Sequence, residues 1–223
     1  MAYETPEFHP AFEEYCETVY ELAEDGVAVI QARIAERLDV SRPAVSEMVR
    51  KMEREGLVAI EGGAISLTDA GAVLANRVVR RHRLAERFLT DILGLSWADA
   101  HHEAGKWEHV ISETVEDAFV RVLDDPTTCP HGNPIPGSAY EASASMVTLA
   151  EIAVGTSFVI ERIPEELEFR PGLLEYLEEA DLVPGREGSV TAISPDGTTT
   201  VQIADHHVGI GAFVSERILV ASR

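Results

Sequence analysis

The sequence predicts an α+β chain in three parts: an N-terminal winged helix-turn-helix, a helical middle and a C-terminal β-barrel. Three observations carry this prediction. Apolar residues recur at helical spacing through the first half of the chain, broken once by two short β-prone runs around Gly62-Gly63. A Pro- and Gly-rich stretch, PTTCPHGNPIPGSAY (126–140), then ends the helical pattern. Beyond it, apolar and polar residues alternate between Gly, Pro and Asp turns. At 223 residues the chain is long enough for several cores. The expected domains are 1–75, 76–144 and 145–223, with the 126–140 loop marking the second boundary.

The elements follow in order. Phe12, Tyr15, Val19 and Leu22 stand three or four apart, so a first amphipathic helix closes at Gly26. Ile34, Ala35 and Leu38 form the stripe of a second, and DVSRP then supplies a turn with Ser41 as N-cap and Pro43 in the next first turn. The third helix buries Val45, Met48, Val49 and Met52, exposes Arg42, Ser46, Glu47 and Arg50, and stops at Gly56. LVAIEGGAISL reads as a hairpin. Helix, turn, helix and hairpin in this order spell a winged helix-turn-helix. Thr68 caps a long helix expected to reach about Leu93, one or two helices follow up to Pro126, and PGLLEYLEEAD is the one helix expected within the barrel.

Charge narrows the function classes. The net charge is −21, and only Lys51 and Lys106 are lysines among 18 basic residues. Such an acid-rich, lysine-poor surface suits a halophilic cytosol, where salt screens repulsion. From Val27 to Arg87, eleven basic residues against eight acidic ones give +3, leaving −24 for the rest. One mildly basic island in an acidic molecule points to a polyanion-facing surface. The opening MAYETPEFHPAFEEY has no basic and apolar leader pattern, no apolar run is long enough to span a membrane, and Cys16 and Cys129 lack metal-knuckle spacing. A cytoplasmic protein without a membrane partner is expected.

Four segments place metal-ligating side chains on one helical face: Glu14 with Glu17, His82 with Glu86, His101 with Glu108 and His109 two turns on, and Glu165 with Glu168. Imidazole and carboxylate without a thiolate suit Mn²⁺, Fe²⁺, Co²⁺ or Zn²⁺. Enzyme motifs are lacking. His102-Glu103 begins like HExxH, but Lys106 stands where the second histidine belongs, and Glu108 is followed at the third position by Ile111 rather than a histidine. No nucleophile elbow, P-loop or dinucleotide fingerprint occurs.

The winged helix followed by RHRLAERFLTDILGL, HHEAGKWEHVIS and GNPIPG resembles the diphtheria-toxin-repressor family of iron- and manganese-dependent transcriptional regulators, across nearly the whole chain. The resemblance implies a homodimer with an SH3-like, FeoA-like third domain, Fe²⁺ or Mn²⁺ as corepressor, and a double-stranded operator as partner. It implies a repressor of metal-uptake genes rather than an enzyme. An ancillary site is implied at His82, Glu86 and His101, completed by Glu165 and Glu168. A primary site is implied at Glu108 and His109, with Glu14 where iron sensors carry methionine and Gly105 where they carry cysteine. Glu14 and Glu17 resemble the first-helix carboxylates of manganese sensors. That site is therefore either weakened or rebuilt from Glu14, Glu17, Glu108 and His109. Ser41, Arg42, Pro43, Ser46, Glu47 and Arg50 match the recognition helix. Two other functions remain open on the residues alone: a winged-helix regulator answering to a small organic ligand, and a metalloprotein that does not bind DNA.

Overall fold

The computed structural model describes residues 10–143 and 145–223. The first nine residues of the expected DNA-binding domain, and position 144, the expected end of the middle domain, lie outside the described residues. The first unit comprises α1 (Pro10–Glu24), α2 (Gln31–Arg37), α3 (Arg42–Arg54) and the hairpin β1 (Val58–Glu61) and β2 (Ala64–Leu67). Phe12, Tyr15, Cys16, Val19 and Leu22 of α1 join Ile34, Val45, Val49, Met52 and Ile65 in one core, so α1 belongs to the winged helix through its apolar face. The hairpin pairs Glu61 with Ala64, leaving Gly62 and Gly63 as a two-residue turn with φ of 59° and 91°. Two successive positive φ values define the tight turn that matches strand twist, and glycine adopts them without strain.

The helical middle is built on α4 (Asp69–Arg87), α5 (Trp97–Trp107) and α6 (Glu113–Val122). Thr68, Ser96 and Ser112 cap them, each side chain accepting from the backbone N–H three residues on. The long helix expected to reach Leu93 instead leaves α geometry at Arg87 and continues as a π-helical turn over Phe88–Ile92. Leu89 stays buried through that change, with Leu84, Ala100, Ala104, Phe119 and Ile135. The wider turn sits where α4 must end and hand over to α5.

The third unit is an antiparallel sheet of β3 (Met146–Thr148), β4 (Ser157–Arg162), β5 (Glu187–Ile193), β6 (Thr199–Ile203), β7 (His206–Ile210) and β8 (Leu219–Ser222), in the order β3-β8-β4-β5-β6-β7. Phe158, Ile160, Val190, Val201, Ile203, Val208, Ile210 and Val220 share one core with Leu174 and Leu177, so the sheet curls around it without joining β7 to β3. Three short helices accompany it where one was expected: α7 (Glu165–Glu168), α8 (Leu173–Glu179) and α9 (Ala212–Ser215). Four-residue helices carry too little periodicity to be seen in sequence.

The 126–140 loop also departs from expectation. Cys129 through Asn133 are buried and Ile135 is 1 % exposed, so its centre is a plug, not a linker. Ile163 N–H donates to the His131 carbonyl (2.8 Å), and Asn133 Nδ2 donates to the Ile163 carbonyl (3.0 Å). Gly132 permits this approach: it has φ +86°, and a Cβ there would lie 2.2 Å from the Glu161 carbonyl oxygen.

Candidate metal centre

The second face of α1 carries the site. Its apolar stripe is used in the winged-helix core, and the opposite side presents Glu13, Glu14, Glu17, Glu21 and Glu24 at helical spacing toward α4 and α5. Glu13 Oε2 lies 2.7 Å from His109 Nδ1, and Glu13 Oε1 accepts from Arg77 (3.1 Å). His109 Nε2 lies 3.4 Å from Glu14 and 3.2 Å from Glu108 Oε1. The other Glu108 oxygen is 2.5 Å from His82 Nδ1, and the remaining His82 nitrogen faces His101 Nδ1 at 3.3 Å. His101 in turn lies 3.0 Å from Glu86 and 3.2 Å from Glu168. A chain of carboxylates and imidazoles thus runs from α1 through the turn after α5, α4 and α5 to α7.

Sequence reasoning missed one arm of this chain. His131 Nδ1 lies 3.0 Å from Glu168 and 3.6 Å from Glu86, with Cys129 Sγ 3.8 Å from the same nitrogen. The sequence pattern includes no sulfur donor, and one lies beside the set: donor atoms of Glu86, Cys129 and His131 fall within 4.8 Å of one another. The available signal was Cys-Pro-His itself, two soft-to-borderline donors one residue apart in a Gly/Pro-rich loop. Four further groupings meet the same limit: His82, Glu86 and His101; His101, Glu165 and Glu168; Glu17, His82 and Glu108; Glu14, Glu108 and His109.

Buried atoms without hydrogen-bond partners concentrate here. Glu86 Oε2, Glu165 Oε2 and His131 Nε2 lack one among the described residues. Orphaned acceptors in a dry interior are costly, and a cation would satisfy them, so the donors present fit a divalent metal. Titration points the same way. Burial opposes the charged form of His101 and His109, yet hydrogen bonds to Glu168 and Glu86, and to Glu13 and Glu14, hold both up at about 10. Burial likewise works against ionisation of Glu168, but His131 holds it at about 2. Burial, reinforced by Glu108 and Glu21, pushes Glu17 well above the usual carboxylate range. Without metal, imidazole protons balance the carboxylates; a cation held by these side chains would take the place of those protons.

Neighbouring groups hold the donors. Asn133 donates to Glu168 Oε1 (2.7 Å), and Trp97 meets His131 edge-on at 4.6 Å between ring centres. Arg83, fully buried, donates to Glu165 Oε1 (3.0 Å), Glu24 Oε2 (2.7 Å) and the Pro134 carbonyl, joining all three units at one guanidinium. Its fork geometry suits this multiple recognition. Arg37 of α2 donates to Glu21 (3.0 Å) and the Glu165 carbonyl (3.1 Å) and lies 3.7 Å over the Phe169 ring. Glu165 is thus partly engaged by Arg83, a role its helical spacing did not foretell.

Away from this cluster, Ser41 caps α3 by accepting from Ala44 N–H (3.3 Å). Arg42, Pro43, Glu47 and Arg50 are exposed on that helix and Ser46 is half-buried. Lys51 Nζ lies 4.8 Å from the Phe12 ring centre, so the lysine one turn beyond Glu47 is drawn elsewhere and Glu47 has no ion pair among the described residues. Among those residues no helix is long and apolar enough to cross a membrane.

A winged helix whose first helix also supplies donors to a buried histidine and carboxylate cluster defines a metal-responsive DNA-binding protein. Residues 7–63 match the family described as iron dependent repressor, N-terminal DNA binding domain; 68–137 match its metal binding and dimerisation domain; and 147–222 match the FeoA domain. The iron-dependent repressor IdeR of Mycobacterium tuberculosis is 42% identical over 205 residues, 87% of this chain and 89% of that protein. The diphtheria toxin repressor of Corynebacterium diphtheriae is 49% identical over 146 residues, 65% of this chain and 60% of its own. A solved manganese-dependent transcriptional repressor in complex with manganese superposes with a TM-score of 0.84 at 30% identity, covering 95% of this chain and 100% of that one. The chain belongs to the diphtheria toxin repressor family of metal-dependent transcriptional regulators. Its function is metal-dependent DNA binding, with a divalent cation as cofactor and a second copy of the chain as partner.

Proposed function

We propose that this protein represses metal-uptake genes when Fe²⁺ or Mn²⁺ is bound, and that the cation acts by locking α1 against α4 and α5. The observation that carries this is the pairing of Glu13, Glu14 and Glu17 on α1 with His82 of α4 and with Glu108 and His109 in the turn that follows α5. Donors from separate units are satisfied together only when α1 is docked. A cation therefore favours the docked state by its differential affinity, and a shift from 1:99 to 99:1 takes about a 10⁴-fold preference.

Two cation positions are supported by the donor groupings. One lies among Glu14, Glu17, Glu108 and His109 with His82 alongside, and Glu108 is common to both of its groupings. The other lies among His82, Glu86, His101, Glu165 and Glu168, and reaches Cys129 and His131. Bound there, the metal supplies concentrated positive charge to the convergent carboxylates, and nothing in this role requires a reaction, so we assign no enzymatic activity. The hard donors of the first position suit Mn²⁺ or Fe²⁺.

On DNA, Ser41, Arg42, Pro43, Ser46, Glu47 and Arg50 are the proposed contacts. The arginines and serines suit phosphates or base edges, and Pro43 suits a thymine methyl. The proposed domains are 1–75, 76–144 and 145–223, and the proposed compartment is the cytoplasm of a halophilic cell. An anaerobic band-shift with operator DNA tests the function: retardation with Mn²⁺ or Fe²⁺, its loss with chelator, and its loss with His109→Ala are expected. Retardation indifferent to chelator would instead indicate a regulator governed by something other than metal.

A further inference from the structure

Gly105 lies in the middle of α5, and its own geometry gives no reason for glycine. Its φ is outside the left-handed region, and a Cβ built there meets no atom within 4 Å. Glycine in a helix interior is less stable than alanine at such a position. What Gly105 does is leave room. With Glu14, Glu17, His82, His101 and Glu108 it lines a cavity of about 310 Å³. A side chain longer than alanine's methyl at 105 would extend into that space, because His101, one turn back on α5, and Glu108, just past its end, line the same cavity.

We propose that Gly105 holds open one coordination position of the cation at Glu14, Glu17, Glu108 and His109, and that an exchangeable water fills it. This rests on the assignment of that cluster as a cation site. The donors there form two groupings of three, Glu17 with His82 and Glu108, and Glu14 with Glu108 and His109, whereas Mn²⁺ and similar cations favour about six oxygen-type ligands. The walls decide which ligand completes the set. Glu14, Glu17, Glu21 and Glu108 face the cavity, while Lys106 is paired with Glu103 (2.7 Å) and Arg37 with Glu21 (3.0 Å). The acidic, polar walls retain water and offer an incoming anion no unengaged lysine or arginine, so a neutral oxygen donor is selected over a free carboxylate or phosphate.

The test is a Mn²⁺ titration of the full chain, read by water-proton relaxation, in the native protein and in Gly105→Ala and Gly105→Glu. Native and Gly105→Ala proteins are expected to show the same high relaxation per bound Mn²⁺. Gly105→Glu, with a carboxylate in place of water, is expected to lower it and to tighten binding by roughly tenfold or more. Gly105→Cys with Co²⁺ gives an independent reading, since a sulfur-to-metal charge-transfer band appears only if a side chain at 105 reaches the cation. Equal relaxation in native and Gly105→Glu proteins, or no band in the cysteine variant, overturns the open position. Mn²⁺ binding indifferent to Glu108→Ala and His109→Ala overturns the assignment of the cluster, and this proposal with it.

Discussion

His109, two residues past α5, and Glu13 of α1 meet at 2.7 Å, and this pair ties the winged helix to the metal-binding unit. Glu13 is 2 % exposed and shares its second oxygen with Arg77, so removing it leaves both cations short of a partner. Glu13→Ala is expected to cost about 3 kcal/mol in the metal-free protein. Urea unfolding of the single variants and of Glu13→Ala with His109→Ala checks it, with a coupling above about 0.5 kcal/mol expected. Additive losses would mean the two side chains act independently.

Cys129 and His131 predict a division between the two cation positions. Cys129→Ser is expected to weaken Cd²⁺ or Zn²⁺ more than Mn²⁺, because a thiolate favours softer metals. Burial and Glu86 push the Cys129 thiol up, so metal binding there must also displace its proton. Competition with a chromophoric chelator should show one site weakened by roughly 10- to 100-fold and the Glu108–His109 site unchanged. Equal weakening of both would merge them into one cluster.

Glu47 has no ion pair among the described residues, since Lys51 sits over Phe12, and this leaves its carboxylate available for the proposed base contact. A carboxylate accepts from the cytosine amino group, whereas glutamine also pairs with adenine. Selection of binding sites from a random pool by the Glu47→Gln variant should shift preference at one operator position by about 1–3 kcal/mol. An unchanged consensus would remove Glu47 from base recognition.

Asp25 makes a pH prediction at the contact between α1 and β4. Burial pushes its carboxyl up to about 6, despite Arg162 at 2.5 Å and the Glu166 N–H at 3.0 Å. A raised carboxyl binds protons more tightly in the folded state. Its contribution is greatest below its unfolded value near 3.8 and is lost as pH rises through about 6. Asp25→Asn removes that loss, so its stability relative to the native chain should improve by up to about 3 kcal/mol between pH 4 and 7. A difference independent of pH would refute the raised value.

The net charge of −21 predicts salt dependence. Lowering KCl lengthens the range of repulsion from about 3 Å at molar salt to about 10 Å at 0.1 M. Loss of helical circular dichroism on dilution from molar KCl is expected, with recovery when salt is restored. Full structure in dilute buffer would count against a halophilic setting.

Much of the fold was legible because it rests on local periodicity. Phe12, Tyr15, Val19 and Leu22, then Val45, Val49 and Met52, fall into one core as their spacing implied. Ser41, Thr68 and the Gly62-Gly63 turn also act where the sequence located them. The π turn after Arg87 and the four-residue helices α7 and α9 were not legible, since neither carries enough residues for a period.

The sequence by itself determined the class of protein, the order of its units and which helix faces bear imidazoles and carboxylates. Chemistry and spacing within one helix are enough for that. Tertiary structure decided which faces meet: that α1 turns its acids toward His109 and Glu108, that the Cys129–Asn133 loop is a buried plug beside Glu86, and that Arg83 joins Glu24, Glu165 and Pro134. These are contacts between residues far apart in the chain. They arise from packing three cores against one another, and no local period records them.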